Sequence, residues 1–390
     1  MNKIPKGWEK VKFEDVLKYE QPSKYIVKST KYNNDYKTPV LTAGKGFILG
    51  YTNETDGIFK DTPVIIFDDF TTSSQYVNFH FKVKSSAMKI LRPVDNVNLK
   101  FLFYKMQTIQ HKSDTHKRYW ISEYAKREIY IPNLVEQKAI VDKLDDSFAK
   151  IENAIINLIN AKENLKLYKQ SVLKSAFNGD LLPNTSPTHW EVKKLGEICE
   201  INPKTEILLL NESDEVSFIP MASVEAETNI FTESKSKFSK VKKGYTKFRD
   251  NDILFAKITP CMENGKICIV NNLKFGIGFG STEFHVIRPN KNTLSKYIYY
   301  FVSQISFRQM AQIYMTGAVG QRRVPSKILE NCKIPLPPLS EQNLIVAEID
   351  RRFAIVDKTL NLIDKSIQNA KNLKQSILKK AFSGELRSEI

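Results

Sequence analysis

Apolar residues recur every three to four positions over two long stretches of the chain. In the second stretch they are Ile345, Ile349, Phe353, Val356, Leu360, Ile363, Ile367 and Ala370. The first answers with Ile140, Leu144, Phe148, Ile151, Ile155, Leu158 and Leu165, and Lys, Asp, Glu and Asn fill the remaining positions. This spacing predicts two helices, each with a heptad seam along one face. Neither stretch contains an internal Pro or Gly, and each stops at a glycine suited to end a helix, Gly179 or Gly384. About 42 residues at ~1.5 Å rise make a rod of about 60 Å. A rod with so narrow an apolar stripe cannot bury itself, so each predicts the other as its partner. Leu144, Phe148, Ile151, Ile155 and Leu158 of the first rod, and Ile349, Phe353, Val356, Leu360 and Ile363 of the second, are expected to form the paired seams. Lys162 falls on the seam where the second rod has Ile367, and looser pairing is expected at that turn.

The two stretches are one unit used twice. Residues 132–181 and 337–386 superimpose without a gap at a shift of about 205 positions, with about 20 of 50 residues identical. Each opens on a Glu-Gln pair, Glu136-Gln137 or Glu341-Gln342. Each closes on Lys-Gln-Ser, as at Lys169 and Lys374, running into Ala-Phe before the glycine. The start of each preceding segment also repeats, Pro5-Lys6-Gly7-Trp8-Glu9 against Pro187-Thr188-His189-Trp190-Glu191.

Between these repeats the pattern changes to short β-rich runs. In the first segment they fall at 39–42, 46–49, 63–67, 77–83 and 88–91. The run 77–83 alternates cleanly, which predicts one wet face. Arg92-Pro93 closes the strands, and Leu99, Leu102, Phe103 and Met106 mark an amphipathic helix. The second segment repeats the plan with different residues: runs at 217–220, 252–256, 266–270 and 284–287, then Arg288-Pro289, then a helix carrying Leu294, Tyr297, Ile298 and Phe301. The predicted fold class is α+β, with a globule over 1–131, a rod over 132–182, a second globule over 183–336 and a second rod over 337–390. The two long helices are expected to lie antiparallel as a coiled coil, in a pseudo-twofold arrangement with the globules at opposite ends.

A chain of 390 residues, 42% hydrophobic, has room for more than one core. No run of about 18 apolar residues occurs, and the N-terminus lacks the apolar centre of a signal peptide, so a cytoplasmic protein without membrane contact is expected. Four scattered cysteines, Cys199, Cys261, Cys268 and Cys332, favour reduced thiols. The net charge of +16 points to a polyanion, of which nucleic acid is the usual one. A Lys-rich composition alone would give the same charge.

Catalytic signatures are missing. Gly276-Ile277-Gly278-Phe279-Gly280 looks like a cofactor loop, but a strand rather than a helix is predicted after it, so a turn or recognition loop is expected. Asn202-Pro203-Lys204 lacks the second proline and aromatic that adenine methylation requires. Asp68-Asp69 and Glu263…Lys266 lie in different globules without the further acids of a metal nuclease. No Gly-Lys-Ser/Thr phosphate loop exists, and the five histidines show no paired ligand spacing. No catalytic residue, metal or cofactor is therefore expected.

What remains suits DNA reading. Thr71, Thr72, Ser73, Ser74, Gln75 and Tyr76 form a polar run able to bind phosphates or base edges. Extending the register of the rods backwards lays Lys117-Arg118 over Arg322-Arg323. Trp120 follows the first pair and Gln321 precedes the second. Arg can grip guanine bidentately, and Gln can pair with adenine. Lys45, among Gly44, Gly46 and Gly50, suggests a loop that approaches DNA closely, although a hairpin explains the glycines almost as well.

These residues resemble a known family, the specificity subunits of type I restriction–modification enzymes, over essentially the whole chain. The marks are the Pro337-Pro338-Leu339-Ser340-Glu341-Gln342 turn before a long helix, the Gln375–Leu386 ending, and the Trp8 and Trp190 starts. The runs 256–266, 278–284 and 315–325 resemble one recurrent type of target-recognition domain. By that likeness Lys257, Thr259, Asn264, Lys266, Ser281, Thr282 and Gly317 join the candidate DNA-binding residues. The resemblance implies that each globule reads one half of a split, asymmetric DNA target and that the helices set the spacing between halves. It implies two modification subunits docked on the helix flanks and the Glu-Gln turns, and restriction subunits joining through the complex. Methylation and ATP-driven cleavage would belong to those partners. The competing readings are a coiled-coil methyltransferase or nuclease acting alone, and a scaffold with incidental charge.

Overall fold

The computed structural model describes residues 5–42, 46–109, 118–183, 187–207, 210–318 and 320–386. The chain divides into two compact units, Met1–Ile159 with Asp364–Ile390, and Asn160–Ile363. Each unit therefore contains one globule and half of each long helix.

In the first unit, the strands Glu9–Lys12 and Glu128–Ile131 pair antiparallel and bring the two ends of the globule together. The core sheet has four antiparallel strands in the order Leu17–Glu20, Met88–Pro93, Val64–Asp68 and Ser74–Val77. A smaller sheet joins Ile48–Thr52, Thr38–Leu41 and Lys82–Val83. The alternating run 77–83 is not one strand. Val77 ends its strand in the core sheet, and Lys82–Val83 then pair in parallel with Val40–Leu41 in the smaller sheet. Phe81, fully buried and stacked on Phe59 with ring centroids 4.9 Å apart, anchors that switch. One alternating pattern thus serves two sheets.

The second unit repeats the frame. Glu191–Lys194 pairs with Lys333–Leu336. Its core sheet runs Cys199–Ile201, Phe284–Pro289, Ile253–Ala256 and Ile267–Ile269, the same order of equivalent strands. Its second sheet is larger, with Ser234–Lys237, Glu215–Ile219, Ile277–Gly280 and Thr246–Arg249. The glycine-rich run is therefore a strand within a sheet rather than a loop. A Cβ on Gly278 would sit 2.2 Å from the Phe248 ring, so glycine there makes room for an aromatic side chain.

The helices run Leu134–Asn178 and Leu339–Ser383 without interruption, and Gly179 and Gly384 follow with φ of +82° and +81°. In each unit their halves lie antiparallel. In the first, Leu144, Phe148 and Ile151 join a core with Leu378 and Ala381, while Ile155 packs at its edge. Leu158 is half-buried. In the second, Ile345 and Ile349 share a core with Val172, Leu173 and Phe177, with Phe353 at its edge. Val356 and Ile363 are buried, and Leu360 is half-buried. The ion pairs repeat as well. Lys374 binds Glu152 at 2.6 Å and covers the Phe148 ring. Lys169 binds Asp357 at 2.5 Å and covers Phe353.

Each globule is fixed to its helix by one constellation, used twice. The Trp8 indole donates to Glu136 Oε1, and the Trp190 indole donates to Glu341 Oε2, both at 2.9 Å. Gln137 Oε1 accepts from Asn98 N at 2.8 Å, and Gln342 Oε1 accepts from Leu294 N at 2.9 Å. Each amide then donates to a proline carbonyl, Pro132 or Pro337. Both glutamines are fully buried. The Glu-Gln turns thus hold the start of the short helix and the indole, with the two glutamines buried and the two glutamates partly exposed.

Candidate nucleic-acid interface

In the first unit the polar run is a turn organised by Asp68, whose carboxylate accepts from Phe70 N at 2.9 Å and from the Thr71 hydroxyl at 2.5 Å. Thr72 takes a left-handed φ of +58° and donates its N–H to Asp68 O. Thr71 and Ser73 are exposed at the tip. The strand that follows turns part of the run inward. Ser74 is buried and bonded by Gln107 at 2.9 Å, and Tyr76 lies against Phe103. Ser74 therefore leaves the candidate surface, while Gln75, the amide of the same run, is exposed between the two.

Trp120 is also corrected. It is 1% exposed, packed edge-on against Phe67 at 5.0 Å and stacked on Tyr124, so its ring cannot reach a base. The backbone around it hangs on buried Asp69, whose carbonyl accepts from Tyr119 N and whose carboxylate accepts from Trp120 N, both at 2.8 Å. Lys89, equally buried, balances Asp69 at 3.4 Å. Arg118 stands exposed beside this anchor, and among the described residues no carboxylate lies within ion-pairing distance of it. Lys45 and Lys117 lie outside the described residues.

The second unit builds the corresponding edge from three segments. Val324 N donates to Lys257 O at 2.9 Å, the counterpart of Tyr119 N on Asp69 O, and Thr259 N donates to Arg322 O at 3.0 Å. Lys257 thus stands where the first unit has Asp69. Lys257 N also donates to Glu283 O at 2.9 Å, which draws the Ser281-Thr282 turn alongside. Arg323 gives Nε and Nη2 to the Glu283 carboxylate at 2.9 and 2.7 Å. That fork holds the Glu283 carboxyl below the usual carboxylate range. Arg322 and Gln321 are exposed at the tip of the same hairpin, which Gly317 opens with φ +119°. Among the described residues no carboxylate pairs with Arg322.

Other candidates serve the frame. Lys266 donates to Met221 O at 3.0 Å, and Thr259 donates its hydroxyl to Glu263. Asn264 is exposed in the adjoining turn. Sequence reasoning missed Glu283 as the clamp on Arg323, because nothing in linear order joins positions about 40 residues apart. All four cysteines are free thiols, and no helix among the described residues is long and apolar enough to cross a membrane.

Two repeated frames carrying differing polar edges are what comparison with known proteins explains. The sequence model for the type I restriction modification DNA specificity domain matches residues 5–161 and 187–370. The chain belongs to that family. It is 31% identical over 376 residues to the specificity subunit of the type I restriction enzyme EcoR124I/EcoR124II from Escherichia coli, covering 91% of this chain and 89% of that protein. A solved chain from a study of assembly and conformational transition in a type I R-M system matches with TM-score 0.71 at 19% identity, over 97% of this chain and 98% of that one. The HsdS subunit from Thermoanaerobacter tengcongensis matches with TM-score 0.56 at 20% identity, over 98% of each chain. These two structural likenesses speak for the fold.

As a type I specificity subunit, the protein recognises DNA sequence and is the non-catalytic member of a system whose modification and restriction subunits carry the chemistry. A methyltransferase or nuclease acting alone finds no support in that membership.

Proposed function

We propose that each unit reads one half of a split, asymmetric duplex target. The supporting observation is that the same frame presents different chemistry in each unit. Tyr119 and Val324 make the same backbone hydrogen bond, but its acceptor belongs to buried Asp69 in one unit and to half-exposed Lys257 in the other. Identical frames with unlike edges suit unlike half-sites.

The reading residues are Thr71, Thr72, Ser73 and Arg118 in the first unit. In the second they are Lys257, Thr282, Gln321 and Arg322, with Arg323 held by Glu283. The helices act as the ruler, because a stiff spacer between two readers fixes half-site separation much as a dimer interface does. Holding both readers in one chain also makes the second contact intramolecular. Two modification subunits dock on the helix flanks, where Val135 and Leu344 are exposed apolar residues, and restriction subunits join through that complex in the cytoplasm.

Mapping methylated adenines across the host genome gives both half-sites and their spacing. Gel shifts with the modification subunit present then compare that target with the same half-sites moved apart by a few base pairs. Affinity is expected to fall sharply on the altered spacing, and equal binding would defeat the ruler.

A further inference from the structure

Beside Lys257 the second unit opens into a cleft of about 640 Å³. One wall is the segment 202–206, with Lys204. The other is the start of the strand Thr246–Arg249, with Tyr245 before it and Lys247 within it. Thr282 and Lys257 close the end, above buried Phe284 and Val286. Three lysines thus face one carboxylate, Glu206. Elsewhere in this unit some lysines are neutralised, as where Lys242 pairs with Glu212, Lys274 with Glu215 and Lys296 with Asp350. Among the described residues none of Lys204, Lys247 and Lys257 has a carboxylate within ion-pairing distance.

The walls are built rather than loose. Asn202 takes a left-handed φ of +54°, and its Oδ1 accepts from Val286 N at 3.1 Å, which fastens the first wall to the core sheet. The buried Arg288, itself paired to Asp252 at 2.7 Å, donates to the Thr205 hydroxyl at 3.0 Å. The Tyr245 ring stands edge-on to Phe218 at 5.1 Å. Lysines on both walls and at the end of one open cleft suit an extended anion better than a single small one. They match a ligand whose negative charges are themselves spaced along a line.

We propose that this cleft seats the sugar–phosphate backbone of the duplex whose bases the Arg322–Arg323 edge addresses, with Lys204, Lys247 and Lys257 on phosphates and Tyr245 flanking the track. The inference rests on the reading given under Proposed function and adds Lys204, Tyr245 and Lys247 to the surface. Lys257 joins the two parts, because its side chain lines the cleft while its backbone is bonded to both Glu283 and Val324. The first unit has no counterpart to this lysine, since Asp69 occupies the position and is buried with Lys89.

The test uses the full chain with its modification subunits and compares wild type, the double variant Lys204→Ala/Lys247→Ala, and Arg322→Ala. Affinity is measured on the cognate duplex and on a scrambled duplex of equal length, between about 50 and 200 mM salt. Each lost phosphate contact removes about 0.9 from the slope of log affinity against log salt. The double variant is expected to lose about 1.8 from that slope and to weaken on both duplexes by a similar factor, about tenfold at the lower salt, with an unchanged melting temperature. Arg322→Ala should weaken the cognate duplex more than the scrambled one. An unchanged slope, or a loss confined to the cognate duplex, overturns the cleft assignment while the wild type still discriminates. If the wild type bound both duplexes equally, the underlying reading would fail and the inference with it.

Discussion

Arg323 gives two parallel hydrogen bonds to Glu283, at 2.9 and 2.7 Å, and a third to the carbonyl of Gln321. Its guanidinium plane is therefore fixed before any ligand arrives, whereas neighbouring Arg322 has no such clamp. A fixed fork suits bidentate recognition of a base or a phosphate. Glu283→Gln removes the charge that holds the fork and keeps the volume. Affinity for the cognate duplex is expected to fall several-fold, the scrambled duplex to change less, and the melting temperature to stay within a few degrees. Arg323→Lys, which keeps charge without the fork, should behave alike. Equal losses on both duplexes would make Arg323 a general phosphate cation instead.

Trp120 lies in the core of the first unit, so its replacement should act on folding. Trp120→Ala is expected to cost about 3–5 kcal/mol by chemical denaturation. Trp120→Phe should retain most of the stability and all of the DNA affinity. A stable Trp120→Ala protein with lost binding would return the indole to the interface.

Gln137 and Gln342, both buried, each satisfy a partly buried backbone N–H and a buried carbonyl. Gln137→Ala and Gln342→Ala should each destabilise the unit that contains the residue by about 1–3 kcal/mol, the usual cost of orphaned buried polar groups. Hydrogen exchange read unit by unit checks this. Protection lost in neither unit would show that the amides do not hold the globule to the helix.

His285 is buried with Nε2 2.8 Å from Val324 O and Nδ1 3.0 Å from the Asn202 amide, an arrangement that suits the neutral ring. Burial holds it below its ordinary 6.5, helped by Lys257 and opposed by the Val324 hydrogen bond, Glu330 and Glu283. A histidine with a lowered folded value binds its proton more readily when unfolded. The stability it contributes is therefore complete above about pH 6.5 and declines as pH falls below it. The unfolding midpoint should drop between about pH 7.5 and 5.5, and His285→Gln should flatten that part of the profile. An equal drop in the variant would assign the effect to other groups.

Much of the frame is local and was legible in order along the chain. The heptad seams, the glycine stops at Gly179 and Gly384, and the duplicated starts at Trp8 and Trp190 are patterns of neighbours. The apolar runs 39–42, 63–67, 88–91, 217–220, 252–256, 266–270 and 284–287 are strands within about two residues, whereas Leu17–Glu20, Ser234–Lys237 and Thr246–Arg249 hold no compact apolar run and are strands only through their sheet partners. The run 77–83 was misread because alternation reports which side is buried, not which sheet buries it.

By itself the sequence determined that one helix-bearing unit is duplicated, that its two rods need each other's apolar seams, and that basic groups recur in register. Only the tertiary structure decided which polar groups are spent inside. Trp120, Ser74, Gln137 and Gln342 went inward, Glu283 met Arg323, and Lys257 replaced Asp69 at one shared hydrogen bond. Helix periodicity is set by residues three or four apart, whereas the partner of a buried polar group is chosen by packing between segments distant in the chain.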